Sequence, residues 1–250
     1  MYSVRYNLIL LEYSLNFLPY GIIMERRKPT EEFYSLFQFL YEYLNKNLFD
    51  NELPECMIVV TRKTSTFGYF QPEIWINDER IKSDEIAINP FYFDRYPMIE
   101  ILQTMAHEMC HLWQYHFGTP SIRTYHNKEW SQKMISIGLM PSSTGKPNGK
   151  KTGQNMMEYP LPKSKFIKMA NKLIKHNKFK HLWFDRVKKE KEVLRDNQAP
   201  IETTENSFTE SLVLVKSEIY DNLNLESSLL EIHRNDDLKI VGQTDQKGKG

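Results

Sequence analysis

The sequence predicts an α+β domain in which a small antiparallel sheet packs with helices. Three observations support this prediction. Apolar residues recur at helical spacing in several segments of the chain. Between two of these predicted helices lie short runs rich in β-branched and aromatic residues. One predicted helix carries two histidines and a glutamate in close spacing. At 250 residues the chain can hold one substantial domain with appendages.

The first predicted helix runs to Phe49, with Thr30 as its N-cap and Glu31 and Glu32 in its first turn. Its core-facing positions are Phe33, Phe37, Leu40, Leu44 and Leu48. Three strand-like runs follow it, at Cys56 to Thr61, Phe70 to Asn77 and Glu85 to Asn89. Turn residues separate the runs, which predicts the small antiparallel sheet but leaves its strand pairing open.

The next predicted helix runs from about Tyr96 to Phe117 and contains His107-Glu108-Met109-Cys110-His111. His107 and His111 are one turn apart, roughly 6 Å along the axis, so both imidazoles can bind one ion. Two histidines at this spacing, with a third ligand and one open position, are typical of a catalytic zinc site. Glu108 is then the candidate general base.

Several residues could supply the third ligand. The metzincin continuation fails, because its glycine and histidine positions hold Gln114 and Phe117. His116 points about 180° away from His107 on the helix. A thermolysin-like site would use Glu129, whereas His126 is the better candidate because the intervening chain must turn back.

That turn is predicted from two helix-ending residues. Gly118 can adopt the left-handed conformation that ends a helix, and Pro120 blocks its continuation. A short loop would then bring His126 back to the metal, just before a second amphipathic helix from about Asn127 to Ile137.

These pieces resemble the SprT-like zinc metalloprotease family: the histidine helix, a loop, His126, and a helix with an aromatic residue at Trp130. The serine-, glycine- and lysine-rich stretch from Ser142 to Gln154 also looks like a loop of family members from mobile elements. The resemblance runs from roughly Arg27 to Arg186. It implies a minimal zincin fold, Zn²⁺ bound by His107, His111 and His126, catalysis by Glu108, and protein substrates associated with or crosslinked to DNA. Many members carry a Cys₄ zinc ribbon after this domain, which two cysteines cannot form.

The cysteine count and the hydropathy of the sequence indicate the cellular compartment and whether the chain crosses a membrane. Only Cys56 and Cys110 are present, which excludes a disulfide framework and suits a reducing cytoplasm. The uncharged run from Tyr13 to Ile23 is too short to span a bilayer, so we predict no membrane segment.

We divide the chain into an N-terminal extension at 1–23, a metalloprotease domain at 24–190 and an acidic, disordered tail at 191–250. Met24 is a candidate for the true start, because the recognisable domain begins just after it.

Charge is unevenly distributed along the C-terminal half. Residues 163–195 contain ten lysines and two arginines against three acids, a net charge of +9, whereas 196–250 carry a net charge of −6. The basic segment is the candidate nucleic-acid surface, and the alternative is a solvated helix face.

The loop from Pro141 to Gln154, with Lys146, Lys150 and Lys151, is either a connector or a lid that contacts nucleic acid. Tyr159 could polarise a scissile carbonyl or simply pack in the core.

The sequence therefore favours a zinc metalloendopeptidase that hydrolyses protein substrates. One alternative is a DNA-binding accessory protein of a mobile element, with a structural or weakly active zinc site. A second is a metal-dependent hydrolase of a non-peptide bond. The presence of Glu108 argues against a purely structural site, which would need no base and would close its fourth position.

Overall fold

The computed structural model describes residues 28–63, 66–122, 125–174 and 182–185, together with Tyr220, Leu223 and Leu225. In chain order the elements are α1 (Pro29–Leu48), β1 (Met57–Val60), β2 (Gly68–Ile76), β3 (Lys82–Ile88), a 3₁₀ turn (Pro90–Tyr92), α2 (Met98–Phe117), α3 (Lys128–Ile137), β4 (Leu139–Ser142), β5 (Met157–Pro160) and α4 (Lys165–Ile174). The predicted α+β class is confirmed. The predicted extension at 1–23 and the candidate start at Met24 lie outside the described residues.

Helix α1 begins one residue earlier than its predicted cap. Lys28, not Thr30, is the N-cap, and it makes no side-chain capping bond. The prediction was wrong because Pro29 occupies the first helical position, where its fixed φ suits a helix and its missing N–H costs nothing. Phe37, Leu40, Leu44 and Leu48 are buried as predicted, and they place α1 in the core.

The three-stranded sheet is mixed rather than antiparallel throughout. Its order is β1-β3-β2, with β1 parallel to β3 and β2 antiparallel to β3. Strand β3, the last of these three strands in the chain, lies in the middle of the sheet, and its residues from Asp84 to Ile88 are all buried. Burial on both faces is what a central strand requires, so β2 is left as an edge strand.

Helix α2 packs on the sheet and lies at the centre of the fold. Thirteen of its residues are buried, among them Ile99, Leu102, Met105 and Met109. The helix begins after Pro97, which is its N-cap in an extended conformation rather than a member of the first turn.

The end of α2 differs from the prediction. Gly118 has φ −130° and ψ −154°, which is extended and not left-handed. A Cβ at this position would lie 2.5 Å from Oε2 of Glu129, so a larger residue would displace that carboxylate. The chain still turns back toward α2, as the sequence predicted.

The remaining elements complete the core behind the histidines. Helix α3 ends at Gly138, which has φ +101°, and the chain enters a two-stranded antiparallel hairpin of β4 and β5. Helix α4 then packs against α1 with Phe166, Met169 and Leu173 buried.

Residues beyond α4 also contact this domain. The Trp183 Nε1–H donates to Glu32 at 3.0 Å, and Arg62 pairs with Asp185 at 2.9 Å. Tyr220 and Leu223, which fall within the predicted tail, are 6% and 8% exposed in the core. None of the helices in the described ranges has the length and apolar character needed to cross a bilayer.

Candidate metal centre

Two of the candidate ligands project from one face of α2. His107 and His111 are one helical turn apart, and their ring centroids are separated by 5.1 Å. The other faces of the helix are occupied by core packing, with Leu102, Met105 and Met109 fully buried. This packing fixes the rotation of α2 and therefore the direction in which both imidazoles point.

The third histidine is held by its backbone. The His126 N–H donates to the Gly153 carbonyl at 2.9 Å, and the Gly153 N–H donates back to the His126 carbonyl at 3.1 Å. The next residue, Asn127, caps α3 by accepting a hydrogen bond from the Trp130 N–H at 3.0 Å. His126 is thus fixed between a β-bridge and a helix cap.

The three imidazoles converge through the same ring nitrogen. Nε2 of His126 lies 3.1 Å from Nε2 of His107 and 3.1 Å from Nε2 of His111. Two nitrogen ligands of a tetrahedral zinc ion with Zn–N bonds of about 2.0–2.1 Å would be about 3.3 Å apart. The spacing of the histidines therefore fits a single metal ion.

Hydrogen bonds on the far side of two rings support the same conclusion. Nδ1 of His107 lies 2.9 Å from Oε2 of Glu158, and Nδ1 of His126 lies 3.1 Å from the Gly153 carbonyl oxygen. A carboxylate and a carbonyl only accept, so each Nδ1 carries the hydrogen and each neutral ring presents a lone pair at Nε2. Two lone pairs 3.1 Å apart repel each other, and a cation between them removes that repulsion.

Trp130 forms the wall behind the three rings. It is fully buried, and its ring centroid lies 4.8 Å from that of His107, 5.4 Å from that of His111 and 4.3 Å from that of His126. An aromatic residue at this position of α3 therefore restricts the orientation of the whole cluster.

Electrostatics favour neutral imidazoles at two of the three positions. Burial, reinforced by the other two histidines, lowers the pKa of His111 well below its usual range. Burial and His107 lower the pKa of His126 to about 4. At His107 burial also acts to lower the pKa, but the charge and hydrogen bond of Glu158, with a smaller contribution from Glu108, raise it overall.

Glu108 is buried beside the cluster, with 7% of its surface exposed. Burial raises the pKa of its carboxyl to about 7, although His107 and a hydrogen bond from the Phe70 backbone act in the opposite direction. A general base is most effective when its pKa lies near the working pH. The surroundings of Glu108 therefore suit proton transfer near neutral pH.

The strand β2 reaches Glu108 because it begins with a glycine. A Cβ on Gly68 would lie 2.7 Å from the Ala87 carbonyl oxygen, 3.2 Å from Cγ2 of Thr104 and 3.5 Å from Cγ of Glu108. A larger residue would collide with the β3 backbone and press on the side chain of Thr104 in α2. Gly68 thus lets the edge strand pass next to the carboxylate.

The alternative ligands have other partners. Oε2 of Glu129 accepts hydrogen bonds from the Thr119 N–H at 2.7 Å and from Nε2 of Gln114 at 2.8 Å, so this carboxylate secures the turn after α2. His116 is exposed and pairs with Asp84 at 2.6 Å. The structure therefore brings together His107, His111 and His126 and engages Glu129 and His116 elsewhere.

The two remaining candidate features also have defined positions. The loop between β4 and β5 is tied to the cluster by the pairing of Gly153 with His126. Its Lys146, Lys150 and Lys151 are exposed. Tyr159 lies next to Glu158 on β5, and strand alternation directs it to the opposite face from that carboxylate.

Sequence reasoning assigned no role to Glu158. It is 7% exposed and hydrogen-bonded to His107, 51 positions away in the chain. The available signal was a charged residue between Met157 and Tyr159 in a short strand-like run, which places a carboxylate among apolar neighbours. That signal is weak without knowledge of which strand lies beside α2.

A helix-borne histidine pair completed by a third histidine, in an α+β domain, defines a class of metal-binding proteins that includes many peptidases. The sequence profile of the SprT-like family, a family of metalloproteases, matches residues 37–152, a segment that contains the three histidines and Glu108.

A stretch of 41 residues is 46% identical to "Uncharacterized protein in mucB 3'region" of Salmonella typhimurium. The match covers 16% of this chain and 55% of that protein, so the chain spans about half the length of this relative. No solved structure is significantly similar to the chain.

Proposed function

We propose that the protein is a zinc-dependent endopeptidase. The observation that carries this proposal is the convergence of three Nε2 atoms next to a buried glutamate on the same helix. His107, His111 and His126 would hold the ion. When bound, zinc supplies a Lewis acid that lowers the pKa of a water molecule to about 7.

Glu108 performs the proton transfers of the reaction. Its carboxylate accepts the proton of the attacking water and passes it to the amine that leaves when the peptide bond breaks. The carboxyl is itself buried, with 7% of the residue exposed, and this burial is the main cause of its raised pKa of about 7.

The edge strand β2 is the surface along which we place the substrate. It pairs with β3 on one side only, and its Phe70 backbone approaches Glu108. An extended polypeptide can add to such an edge through main-chain hydrogen bonds. This arrangement favours unfolded or extended segments of protein substrates over compact ones.

The substrate class is inferred from the family resemblance and the exposed lysines, and the compartment from the free cysteines. Family resemblance implies DNA-associated or DNA-crosslinked proteins, and α4 presents Lys165, Lys168 and Lys172 to solvent, which could contact phosphates. The rest of the basic segment, apart from residues 182–185, is outside the described ranges. The free thiols of Cys56 and Cys110 suit a reducing cytoplasm.

The metal assignment is tested by zinc analysis of purified protein. We expect about one zinc per chain, most of which is lost in His126→Ala. Glu129→Gln is the matched control, since this residue is near the cluster in sequence but bonds to Thr119 and Gln114, and it should retain the metal. If Glu129→Gln loses zinc and His126→Ala keeps it, the third ligand is wrong.

The catalytic assignment is tested with Glu108→Gln. The variant should keep zinc and its fold while hydrolysis of casein or histone falls by at least about 10²-fold, because general-base assistance contributes roughly 10² to 10⁴. Undiminished hydrolysis in this variant would show that the activity comes from elsewhere or from a contaminant, whereas a zinc-loaded parent without hydrolysis would favour the alternative of an accessory protein with a structural zinc site.

The DNA association is tested with single-stranded DNA at several salt concentrations. Binding should weaken steeply with salt and should be abolished when Lys172, Lys175, Lys178 and Lys180 are replaced by Glu, with zinc content unchanged. Equal affinity of the variant and the parent at the same salt would exclude this segment as the binding surface.

A further inference from the structure

Glu158 is a buried carboxylate whose ion pair is made with a candidate ligand. Its side chain is 9% exposed, that of His107 is 12% exposed, and Oε2 lies 2.9 Å from Nδ1. In the part of the chain that the structure describes, His107 is the hydrogen-bond partner shown for the Glu158 side chain. Burying a carboxylate is costly unless it is paired and hydrogen-bonded, and a cation bound on the other side of the imidazole would supply a compensating charge.

The carboxylate is carried by a strand rather than by a loop. Glu158 lies in β5, opposite Pro141 of β4 in an antiparallel pair. The hairpin follows α3 directly through Gly138, and the Leu161 N–H donates to the Gly138 carbonyl at 2.8 Å. The position of Glu158 is therefore fixed by main-chain hydrogen bonds relative to the helix that follows His126.

Its effect on His107 follows from hydrogen-bond chemistry. A carboxylate can only accept, so it holds the hydrogen on Nδ1 and leaves the Nε2 lone pair directed at His126 and His111. Such a partner fixes the tautomer and the ring plane of a ligand and increases its basicity. Its negative charge also offsets part of the charge of a divalent cation bound by three neutral rings.

We propose that Glu158 is the positioning residue of the metal centre, which keeps His107 in its ligand tautomer and strengthens zinc binding. This inference rests on the proposed zinc site. It adds a residue that lies beyond the segment matched by the family profile, which ends at residue 152. Gly153, whose carbonyl accepts from Nδ1 of His126, also lies beyond it. The two outer partners of the cluster thus both come from the chain that follows the matched segment.

The test is the zinc dissociation constant of the full chain, measured by competition with a chromophoric chelator. Removing an outer partner of a metal-bound histidine typically costs 10- to 100-fold in affinity, so Glu158→Ala should raise the dissociation constant by about that factor. Glu158→Gln keeps the volume and can still accept through its amide oxygen, so its increase should be smaller. This second variant also covers the case in which Glu158→Ala does not fold.

Glu85→Gln is the matched control. Glu85 is another buried glutamate on a strand, 6% exposed, but its Oε2 accepts from Nε1 of Trp75 at 2.7 Å and not from a histidine of the cluster. Its substitution should leave the zinc dissociation constant unchanged. A loss of affinity in this control as large as in Glu158→Ala would show a general effect on folding and would overturn the specific role.

A second measurement reports on the tautomer itself. In the zinc-loaded parent and in Glu158→Gln, nitrogen-15 spectra of the imidazoles should show a protected hydrogen on Nδ1 of His107. In Glu158→Ala that hydrogen should exchange rapidly with water. Unchanged affinity and unchanged protection in both Glu158 variants would overturn the inference alone. A parent protein that binds no zinc would overturn the proposed metal site together with it.

Discussion

The three histidines of the cluster differ in the direction in which the protein shifts their pKa values. His111 and His126 have lowered pKa values because burial opposes their charged forms, whereas Glu158 and Glu108 raise the pKa of His107 despite its burial. Two rings are therefore kept in the form that binds a metal, and the third retains a partner that can balance positive charge.

The stability of the metal-free protein should depend on pH through these rings. The pKa of His126 is about 4 in the folded protein against an ordinary value of 6.5, so between these values the unfolded chain binds more protons. The free energy of unfolding should therefore fall as the pH is lowered from 6.5 to 4. His111 acts in the same direction, and the raised pKa of His107 acts in the opposite one.

The measurement is urea unfolding of zinc-free parent and His126→Asn at pH 7.5 and pH 5. One pKa unit corresponds to 1.36 kcal/mol, so the loss of stability on acidification should be smaller in the variant by roughly 2 kcal/mol. Identical pH dependence in the two proteins would show that His126 is not held neutral by burial.

The individual residues of the cluster were largely predictable from the sequence, and its partners were not. His107, Glu108 and His111 follow from helical periodicity, because their relation depends on one element alone. His126 required only a turn after α2. The contact of His107 with Glu158 depends on how a later hairpin packs, and local patterns carry no information about that packing.

At the scale of elements, β2 connects the sheet to the candidate site. Its register shifts between Gln71 and Trp75, and Glu73 within the shift has φ +47°. Asp84 of β3 accepts a hydrogen bond from the Glu73 N–H at 2.8 Å and pairs with His116 of α2. This irregularity is therefore anchored to α2 through Asp84 and is confined to the stretch between Gln71 and Trp75, where pairing with β3 resumes.

Substituting Gly68 by Ala should disturb the pairing of β2 with β3 beside α2. Because the new Cβ would meet the Ala87 carbonyl at 2.7 Å, we expect a loss of stability of roughly 1–3 kcal/mol and slower peptide hydrolysis with zinc content retained. Glu79→Ala, an exposed change in the turn between β2 and β3, is the control and should alter neither quantity. Full activity and stability in Gly68→Ala would contradict the close approach of β2 to Glu108.

The positions of the strands could be predicted from the sequence, but their order in the sheet could not. The three strand runs were placed correctly, but the sequence did not reveal that β3 enters between β1 and β2. The continuous burial from Asp84 to Ile88 is the physical reason for that order. This burial arises because β3 pairs with a strand on each side and is covered on both faces. The residues of one strand alone do not indicate which elements will surround it.

For the whole molecule, Tyr220 makes a contact that links the C-terminal part of the chain to α2. Nε2 of Gln103 donates to its hydroxyl at 3.1 Å, and the hydroxyl donates to the carboxylate of Glu100. Both partners lie on α2 and are buried. Part of the segment predicted as an acidic tail is therefore packed on the helix that carries the histidines.

Tyr220→Ala should destabilise the protein by roughly 3 kcal/mol, as expected for removal of a buried aromatic ring. Tyr220→Phe should cost about 1 kcal/mol, because only the hydrogen bonds to α2 are lost. Both variants should bind zinc as the parent does, since Gln103 and Glu100 lie about one and two turns of α2 before His107. Unfolding midpoints in urea give the comparison, and a midpoint of Tyr220→Ala equal to that of the parent would exclude the packing.

The position of Tyr220 also orders events while the chain is being made. All residues of the histidine cluster and its partners, up to Glu158, leave the ribosome before Tyr220 does. At 5–20 residues per second, the intervening stretch of about 60 residues takes roughly 3–12 s to synthesise. For that interval Glu100 and Gln103 on the nascent chain lack their later partner. The proposed metal ligands are thus all synthesised before Tyr220 can make its contact with α2.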